Sequence, residues 1–281
     1  MQKIALITDS ACDLDIQVLN EENIKLLPLR IIYSTGDYAD RLDLSPNDVY
    51  NNLDKEVPKT SLPSVESMEN TLKELEEQGY THVIAVCISS GLSGSYNALR
   101  LLLEDHPNLT SYVFDSKILA YPQGEIALEV SSLIKEGKSF EEIVESLPDI
   151  RNRVTGYFTI GTLEYLIKGG RVGRVSGAIG NILSLKPIIT TDENGIYYNV
   201  AKVRGRKQSI SKLTEILNDY LSKGPCSVAV LEGGCMEEAK KYMETIKDLP
   251  NITNIKIAQI SPALGVHGGP GLLGISIKLV K

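Results

Sequence analysis

Short apolar runs alternate with helix-like stretches through the first half of the chain, and this alternation constrains the fold more than any other feature. The runs "KIALITDS", "HVIAVCI" and "TSYVFDS" have the composition of strands, as does the longer run "IKLLPLRIIY" at residues 24–33. The stretches "SVESMENTLKELEEQG", "SYNALRLLLED" and "QGEIALEVSSLIKEG" have helical patterns. Such alternation is typical of a parallel sheet with crossover helices. We therefore predict a Rossmann-like, parallel α/β fold for this half.

The pattern changes near residue 152, where Gly-rich turns and paired extended runs begin. "KPIITTDENGIYYNVAKV" contains Asn194-Gly195, and Asn-Gly between two apolar runs is a strong hairpin signal. We predict a first domain over residues 1–152 and a second α/β domain, with a mixed or antiparallel sheet, over residues 153–281.

Composition excludes several classes of protein. The 281 residues are 42% apolar, enough for a sizeable core. With a net charge of -7 and one basic cluster, Arg204-Gly205-Arg206-Lys207, no basic face for nucleic acid is expected. No apolar run has the length of a membrane span or of a signal peptide, so we expect a cytoplasmic protein without membrane insertion. The four cysteines lack metal-ligand spacing, so no metal site and mostly buried, reduced thiols are expected.

Three predicted strands of the first half end in polar turns. These turns are Thr8-Asp9-Ser10, Ser89-Ser90-Gly91 and Asp115-Ser116-Lys117. In open α/β sheets, the loops at the carboxyl ends of the strands line one crevice, and ligands bind there. The three turns are therefore expected to face the same space.

The second of these turns continues as Gly91-Leu92-Ser93-Gly94-Ser95 and leads into a helix. It nearly matches the Gly-x-Ser-x-Gly elbow of serine hydrolases, except that Ser95 replaces the second glycine. A nucleophilic Ser93 needs a histidine base. His82 and His106 lie about 20 Å and about 15 Å along the flanking strand and helix. Only His267 remains as a base, and no acid of a triad can be singled out.

The same turn is suited to binding an anion. A Gly-containing turn at a helix N-terminus offers free N–H groups and the positive end of the helix dipole. The chain has neither Gly-x-x-x-x-Gly-Lys-Ser/Thr nor a Gly-x-Gly-x-x-Gly opening the first helix, so nucleotide binding has little support. Hydroxyl and N–H groups suit a carboxylate as well as a phosphate. The simpler alternative is that Ser93 or Ser95 only caps the helix.

Two further polar clusters have the same two interpretations. Thr60-Ser61, in "PKTSLPS", precedes a helix that Ser64 or Ser67 can cap. In Gly169-Gly170-Arg171 the glycines allow a close approach of the backbone, and the guanidinium can bind an anion. The alternative is that this segment is a solvated loop.

Eight short motifs in series identify a resemblance. With "TDSACDL", "KTSLPS", "SSGLSGSYNA", "DSK", "TLEYLIKGGRVG", "LSLKPII", "KVRGRKQ" and "GVHGGPGLLGI", residues 4 to about 275 resemble the DegV family. The resemblance implies two α/β domains with a fatty acid between them, for example a C16–C18 acid, its carboxylate in a polar crevice and its acyl chain in an apolar tunnel. It also implies a non-catalytic, cofactor-free subunit that presents the acid to a separate ATP-dependent fatty acid kinase for acyl-phosphate formation.

The site residues carry over position by position. The family's head-group contacts match Thr60, with Ser61 beside it, and Ser93. From the turn itself we predict that the N–H groups of Gly94 and Ser95 bind the carboxylate together with Ser93. Arg171 and His267 match its polar residues for head-group binding and phosphotransfer. The alternative function is a serine hydrolase that uses Ser93 and His267.

Two departures from the family pattern concern the walls of the site. Gly268 stands where the family usually has a threonine, which removes a hydroxyl near the site. "ILAYPQG" follows Asp115-Ser116-Lys117 where the family is Ser- and Gly-rich, so a different wall is expected there. Arg204, Arg206 and Lys207 either dock the kinase or form a solvated loop.

Overall fold

The structure is a computed structural model that describes residues 2–178 and 185–280. Its strands are β1 (Ile4–Asp9), β2 (Ile24–Leu27), β3 (Arg30–Tyr33), β4 (Gly36–Ala39), β5 (Lys59–Ser61), β6 (His82–Cys87), β7 (Thr110–Asp115), β8 (Val154–Thr159), β9 (Leu185–Thr191), β10 (Tyr197–Arg204), β11 (Cys226–Gly233), β12 (Ile252–Gln259) and β13 (Leu272–Leu279). Its helices are α1 (Ile16–Glu21), α2 (Pro46–Tyr50), α3 (Val65–Glu77), α4 (Ser95–Leu102), α5 (Tyr121–Lys135), α6 (Phe140–Asn152), α7 (Glu164–Lys168), α8 (Arg206–Leu221), α9 (Met236–Ile246) and α10 (Pro262–Gly268).

The first half contains the predicted parallel sheet, with strand order β2-β1-β6-β7. Alternate side chains of a strand point to opposite faces, and both faces of this sheet are buried under helices. Leu6 and Ile84 pack with α5 and α6, whereas Ile7 and Ala85 pack with α3 and α4. The apolar runs that predicted this sheet are therefore buried on both sides.

The run at residues 24–33 is not one strand, as its apolar pattern suggested. Pro28 lacks an N–H group and separates β2 from β3, and the two strands join different sheets. β3 is the central strand of a small antiparallel sheet with order β4-β3-β5. This sheet presents Thr60 and Ser61, because both lie on its edge strand β5.

The second half forms a six-stranded mixed sheet with order β10-β9-β8-β13-β11-β12. Its pairs are antiparallel except for β11 and β12, which α9 connects as a crossover. The predicted Asn-Gly hairpin is confirmed, since β9 and β10 pair on either side of Asn194-Gly195 and Gly195 has a φ of 73°. One face of the sheet packs against α8 and α9.

The other face of the six-stranded sheet shares a core with the parallel sheet. Leu6 and Ile84 of the parallel sheet belong to the same cluster as Phe158, Ile189 and Leu231. The mixed α/β fold class is thus as predicted, and the inner space is bounded by both sheets. α6 ends at Asn152, but the division into domains of 1–152 and 153–281 stays a prediction.

Candidate functional site

The loops that follow β1, β6 and β7 meet at one edge of the parallel sheet, as the sequence predicted. Asp9 Oδ2 accepts a hydrogen bond from Ile88 N at 2.7 Å. Asp115 Oδ1 accepts one from Ser90 N at 3.0 Å. Carboxylates at the ends of β1 and β7 therefore hold the turn that follows β6 between them.

The serines of that turn have different contacts. Ser89 Oγ donates to Gly195 O at 2.8 Å, and Ser90 Oγ donates to Asp115 Oδ2 at 2.5 Å. These two serines join the turn to the β9–β10 hairpin and to β7. Ser93 Oγ lies 2.9 Å from Ser95 Oγ and accepts from Ser95 N at 3.3 Å. The N-cap residue of α4 is Gly94, so neither serine occupies the capping position itself.

A pocket with polar and apolar lining, which we call the polar pocket, opens beside Ser93. Among its lining residues are five of the seven predicted site residues, namely Thr60, Ser61, Ser93, Arg171 and His267. The other two, Gly94 and Ser95, do not line it. The remaining wall consists of Leu29, Ile88, Leu92, Leu119, Tyr197, Ala263 and Leu264. The structure thus brings together side chains that are up to about 200 positions apart in sequence, as the 207-residue separation of Thr60 and His267 illustrates.

Thr60 and His267 form the central polar contact of this pocket. Thr60 Oγ1 lies 2.6 Å from His267 Nε2, in a hydrogen bond whose donor depends on the imidazole tautomer. Burial and, secondly, the positive charge of Arg171 lower the pKa of His267 to about 4. The ring is therefore neutral near pH 7.

Arg171 supplies a guanidinium at the rim of the same pocket. Its Nη1 donates to Gly169 O at 2.8 Å and its Nε to Leu92 O at 3.4 Å. Over residues 2–178 and 185–280, no carboxylate lies within salt-bridge distance of it, although it is partly buried. A partly buried cation to which Gly169 and Leu92 offer carbonyl oxygens, with no carboxylate partner among the described residues, is suited to an anionic ligand.

Gly169 makes the close packing of the histidine possible. A Cβ at this position would overlap His267 Nδ1. Within the part of the chain that the structure describes, Nδ1 of His267 has no hydrogen-bond partner. No carboxylate therefore orients the ring as the acid of a catalytic triad does.

Two buried carboxylates that the sequence did not single out as site residues anchor α10, the helix that carries His267. Asp13 Oδ1 accepts from Ser261 N at 2.9 Å, and Asp40 Oδ1 accepts from Ala263 N at 2.9 Å. Burial raises the pKa of Asp13 to about 7 and that of Asp40 to about 6. Both bonds satisfy N–H groups at the helix N-terminus, where a negative charge is favourable.

A mainly apolar space, which we call the tunnel, adjoins the polar pocket. Leu119, Tyr197 and Leu264 line both spaces, and we call these three residues the neck. The further tunnel wall is Ile118, Ala120, Pro122, Gly156, Phe158, Leu166, Thr190, Thr191, Leu231, Ile260, Gly268 and Leu272. The combined site has the form expected for an elongated, mainly apolar ligand with one polar end.

The comparisons with known proteins agree with this architecture. The model of a family described as "Uncharacterised protein, DegV family" matches residues 3–279. The chain belongs to the DegV family. A DegV domain-containing protein of Clostridium perfringens is 50% identical over 278 residues, which is 99% of each chain.

Two solved structures of DegV-type proteins are similar over nearly the whole chain. DegV of Bacillus subtilis, described as a fatty acid binding protein, is 30% identical with a TM-score of 0.92, and the match covers 100% of both chains. A stearic acid-binding protein of Eubacterium ventriosum is 30% identical with a TM-score of 0.89, covering 99% of this chain and 98% of that one.

The two departures from the usual DegV pattern both lie on the tunnel wall. Gly268 lines the apolar tunnel and not the polar pocket, and a Cβ there would lie 2.5 Å from Leu272 Cδ1. The segment "ILAYPQG" forms a wall of the same tunnel with Ile118, Leu119, Ala120 and Pro122. Both changes therefore concern the apolar space and leave the polar contacts in place.

The sequence did not point to Tyr197, although it belongs to both spaces. The residue is buried, and its ring packs edge-on against that of Phe158, with 5.4 Å between the ring centroids. Burial raises the pKa of the Tyr197 hydroxyl, and the positive charge of Arg171 has a smaller effect in the opposite direction. As one aromatic residue in a predicted strand, it gave no local signal that distinguishes a neck residue from an ordinary core residue.

The remaining sequence expectations concern metals, thiols and membranes. Over the described residues, no three His, Cys, Asp or Glu side chains are grouped so as to hold a metal ion. Cys12, Cys87 and Cys226 are buried and Cys235 is partly buried, all as free thiols. In the same part of the chain, every helix is too short or too polar to cross a bilayer.

Proposed function

We propose that this protein binds a long-chain fatty acid, with the carboxylate in the polar pocket and the acyl chain in the tunnel. The observation that carries the proposal is that the polar pocket and the apolar space adjoin, since Leu119, Tyr197 and Leu264 line both. The fatty acids bound by the DegV proteins of similar structure, stearic acid among them, support the same ligand class.

The polar end offers the hydrogen bonds that a carboxylate needs when it leaves water. The hydroxyls of Thr60, Ser61 and Ser93 and the guanidinium of Arg171 line the pocket. At about 0.8 kcal/mol per buried methylene, a dozen methylenes in the tunnel contribute about 10 kcal/mol before ordering costs. The acyl chain therefore supplies most of the affinity, and the polar groups fix the orientation.

We further propose that the bound acid is presented to a separate ATP-dependent kinase, which forms the acyl phosphate. Arg171 compensates charge on the carboxylate as the phosphoryl group arrives, and His267, neutral and bonded to Thr60, acts as a hydrogen-bonding group beside it. Arg204 and Lys207 are exposed and available to a partner, whereas Arg206 pairs with Glu238.

The serine hydrolase has no structural support. Its base would be His267, but Thr60 occupies Nε2 and no acid orients Nδ1 within the described residues. The hydroxyl of Ser93 is instead bonded to Ser95. We do not retain this alternative.

The deciding experiment is mass spectrometry of the lipid that the denatured, purified protein releases, together with calorimetric titration of stearic acid. We expect a long-chain acid in the first and saturable binding in the second. The double variant Thr60→Ala, Ser93→Ala should keep the fold, as judged by circular dichroism, and bind at least tenfold more weakly, since two hydrogen bonds to a charged group are lost. Absence of lipid together with no titratable binding would refute the proposal, and unchanged affinity of the double variant would refute the head-group assignment.

A further inference from the structure

Thr191 places a hydroxyl group in the tunnel wall without a hydrogen-bond partner. Its Oγ1 is buried and unpaired within the described residues, although the residue lines an otherwise mainly apolar space. The neighbouring Thr190 differs, because its Oγ1 donates to Gly156 O at 2.7 Å. A buried hydroxyl without a partner is costly, so a native site that retains one calls for an explanation.

The sheet register gives the direction of the Thr191 side chain. Thr191 of β9 lies directly opposite Tyr197 of β10 in the antiparallel pair. Directly opposite residues project from the same face of a sheet, with their Cβ atoms about 5 Å apart. Because Tyr197 lines both spaces and Thr191 lines only the tunnel, the Thr191 hydroxyl lies on the tunnel side, next to the neck.

We infer that the tunnel is adapted to a fatty acid that carries a hydroxyl group near its carboxyl end. The inference rests on the proposed function, since it names the acyl chemistry of the same site. A chain hydroxyl at this depth donates to, or accepts from, Thr191 Oγ1 and thereby satisfies both groups. An unsubstituted chain leaves the threonine hydroxyl unpaired against methylenes, which is the less favourable arrangement.

Thr159 provides a matched control. Its Oγ1 is likewise buried and unpaired, but the residue does not line the tunnel. Thr191→Val and Thr159→Val make the same change of hydroxyl for methyl in the same sheet. Within the part of the chain that the structure describes, neither substitution removes a hydrogen bond, so both variants should fold.

The experiment is calorimetric titration of the wild type and both variants with stearic acid and with 3-hydroxystearic acid. The quantity to compare is the ratio of the two dissociation constants for each protein. One hydrogen bond of about 0.5–1.5 kcal/mol corresponds to a ratio change of roughly three- to tenfold. We expect Thr191→Val to lose roughly three- to tenfold of its preference for the hydroxy acid, and Thr159→Val to keep the wild-type ratio.

The outcomes separate this inference from the proposed function. If all three proteins bind both acids with one unchanged ratio, the hydroxy-acid inference is refuted and fatty acid binding stands. If Thr191→Val and Thr159→Val shift the ratio equally, the effect does not come from the tunnel and the inference is again refuted. If neither acid binds the wild type, the proposed function falls first and the inference falls with it.

Discussion

The hydrogen bond from α10 to Asp40 allows predictions for two substitutions at this position, Asp40→Asn and Asp40→Ala. Asp40 Oδ1 accepts from Ala263 N at 2.9 Å, and Oδ2 accepts from Ser10 Oγ at 2.6 Å. Ser10 Oγ also accepts from Leu29 N at 3.0 Å. Asn at position 40 keeps an oxygen toward Ala263 and turns an N–H toward Ser10 Oγ, so Asp40→Asn resembles the protonated acid. Asp40→Ala removes both contacts.

The shifted pKa of Asp40 sets how much its ionisation changes the free energy of unfolding. Burial is the largest cause of a rise in the pKa of Asp40 from its ordinary 3.8 to about 6, and the charge of Asp9 adds to this rise. The hydrogen bonds from Ser10 and Ala263 and the charge of Arg41 act in the opposite direction. Between pH 4 and pH 6 the folded state therefore binds more protons than the unfolded state, and its stability falls as pH rises. At 1.36 kcal/mol per pKa unit the loss is about 3 kcal/mol. Asp40→Asn lacks this loss.

We therefore expect the unfolding free energy of Asp40→Asn, relative to wild type, to increase by about 2.4 kcal/mol between pH 4 and pH 7.5, since the unfolded carboxyl is already partly ionised at pH 4. Asp9 and Asp13 titrate in both proteins, so most of their effect cancels in the difference. At pH 7.5, Asp40→Ala should be about 1–3 kcal/mol less stable than Asp40→Asn, because the Ala263 N–H loses the oxygen acceptor that the amide of Asp40→Asn keeps. Urea unfolding at each pH measures both quantities. A difference between wild type and Asp40→Asn that does not change with pH would refute the reasoning.

The other predictions concern His267 and its neighbours. Gly169→Ala should displace the His267 ring, since the added Cβ would overlap Nδ1. We expect this variant to bind stearic acid severalfold more weakly in calorimetry. Gly36→Ala is the control, because its Cβ would make only ordinary contacts, the nearest at 3.4 Å. With a partner kinase, Arg171→Ala and His267→Ala should reduce acyl-phosphate formation more than they reduce fatty acid affinity. Equal losses in the two assays would contradict separate roles in binding and phosphotransfer.

Patterns along the chain were sufficient to predict the parallel sheet, the Asn-Gly hairpin and the convergence of the three polar turns. Each depends on local geometry, namely strand periodicity, turn chemistry or the position of a loop at a strand end. The split at Pro28 was missed because the apolar residues on both sides suit either one strand or two. Four site residues were predicted by combining the chemistry of hydroxyl and cationic side chains with the family resemblance, and they line one pocket in the structure: Thr60, Ser93, Arg171 and His267.

The two carboxylates that anchor α10 show why other contacts around the site could not be predicted from the sequence. Asp13 and Asp40 are carboxylates, a residue type that is rarely buried in proteins, yet both are buried here. Their partners, Ser261 and Ala263, lie 248 and 223 residues further along the chain. A backbone N–H group carries no sequence signal, so the pattern around either aspartate cannot identify its partner. The position of His267 thus depends on contacts between the first and last parts of the chain, which only the folded structure reveals.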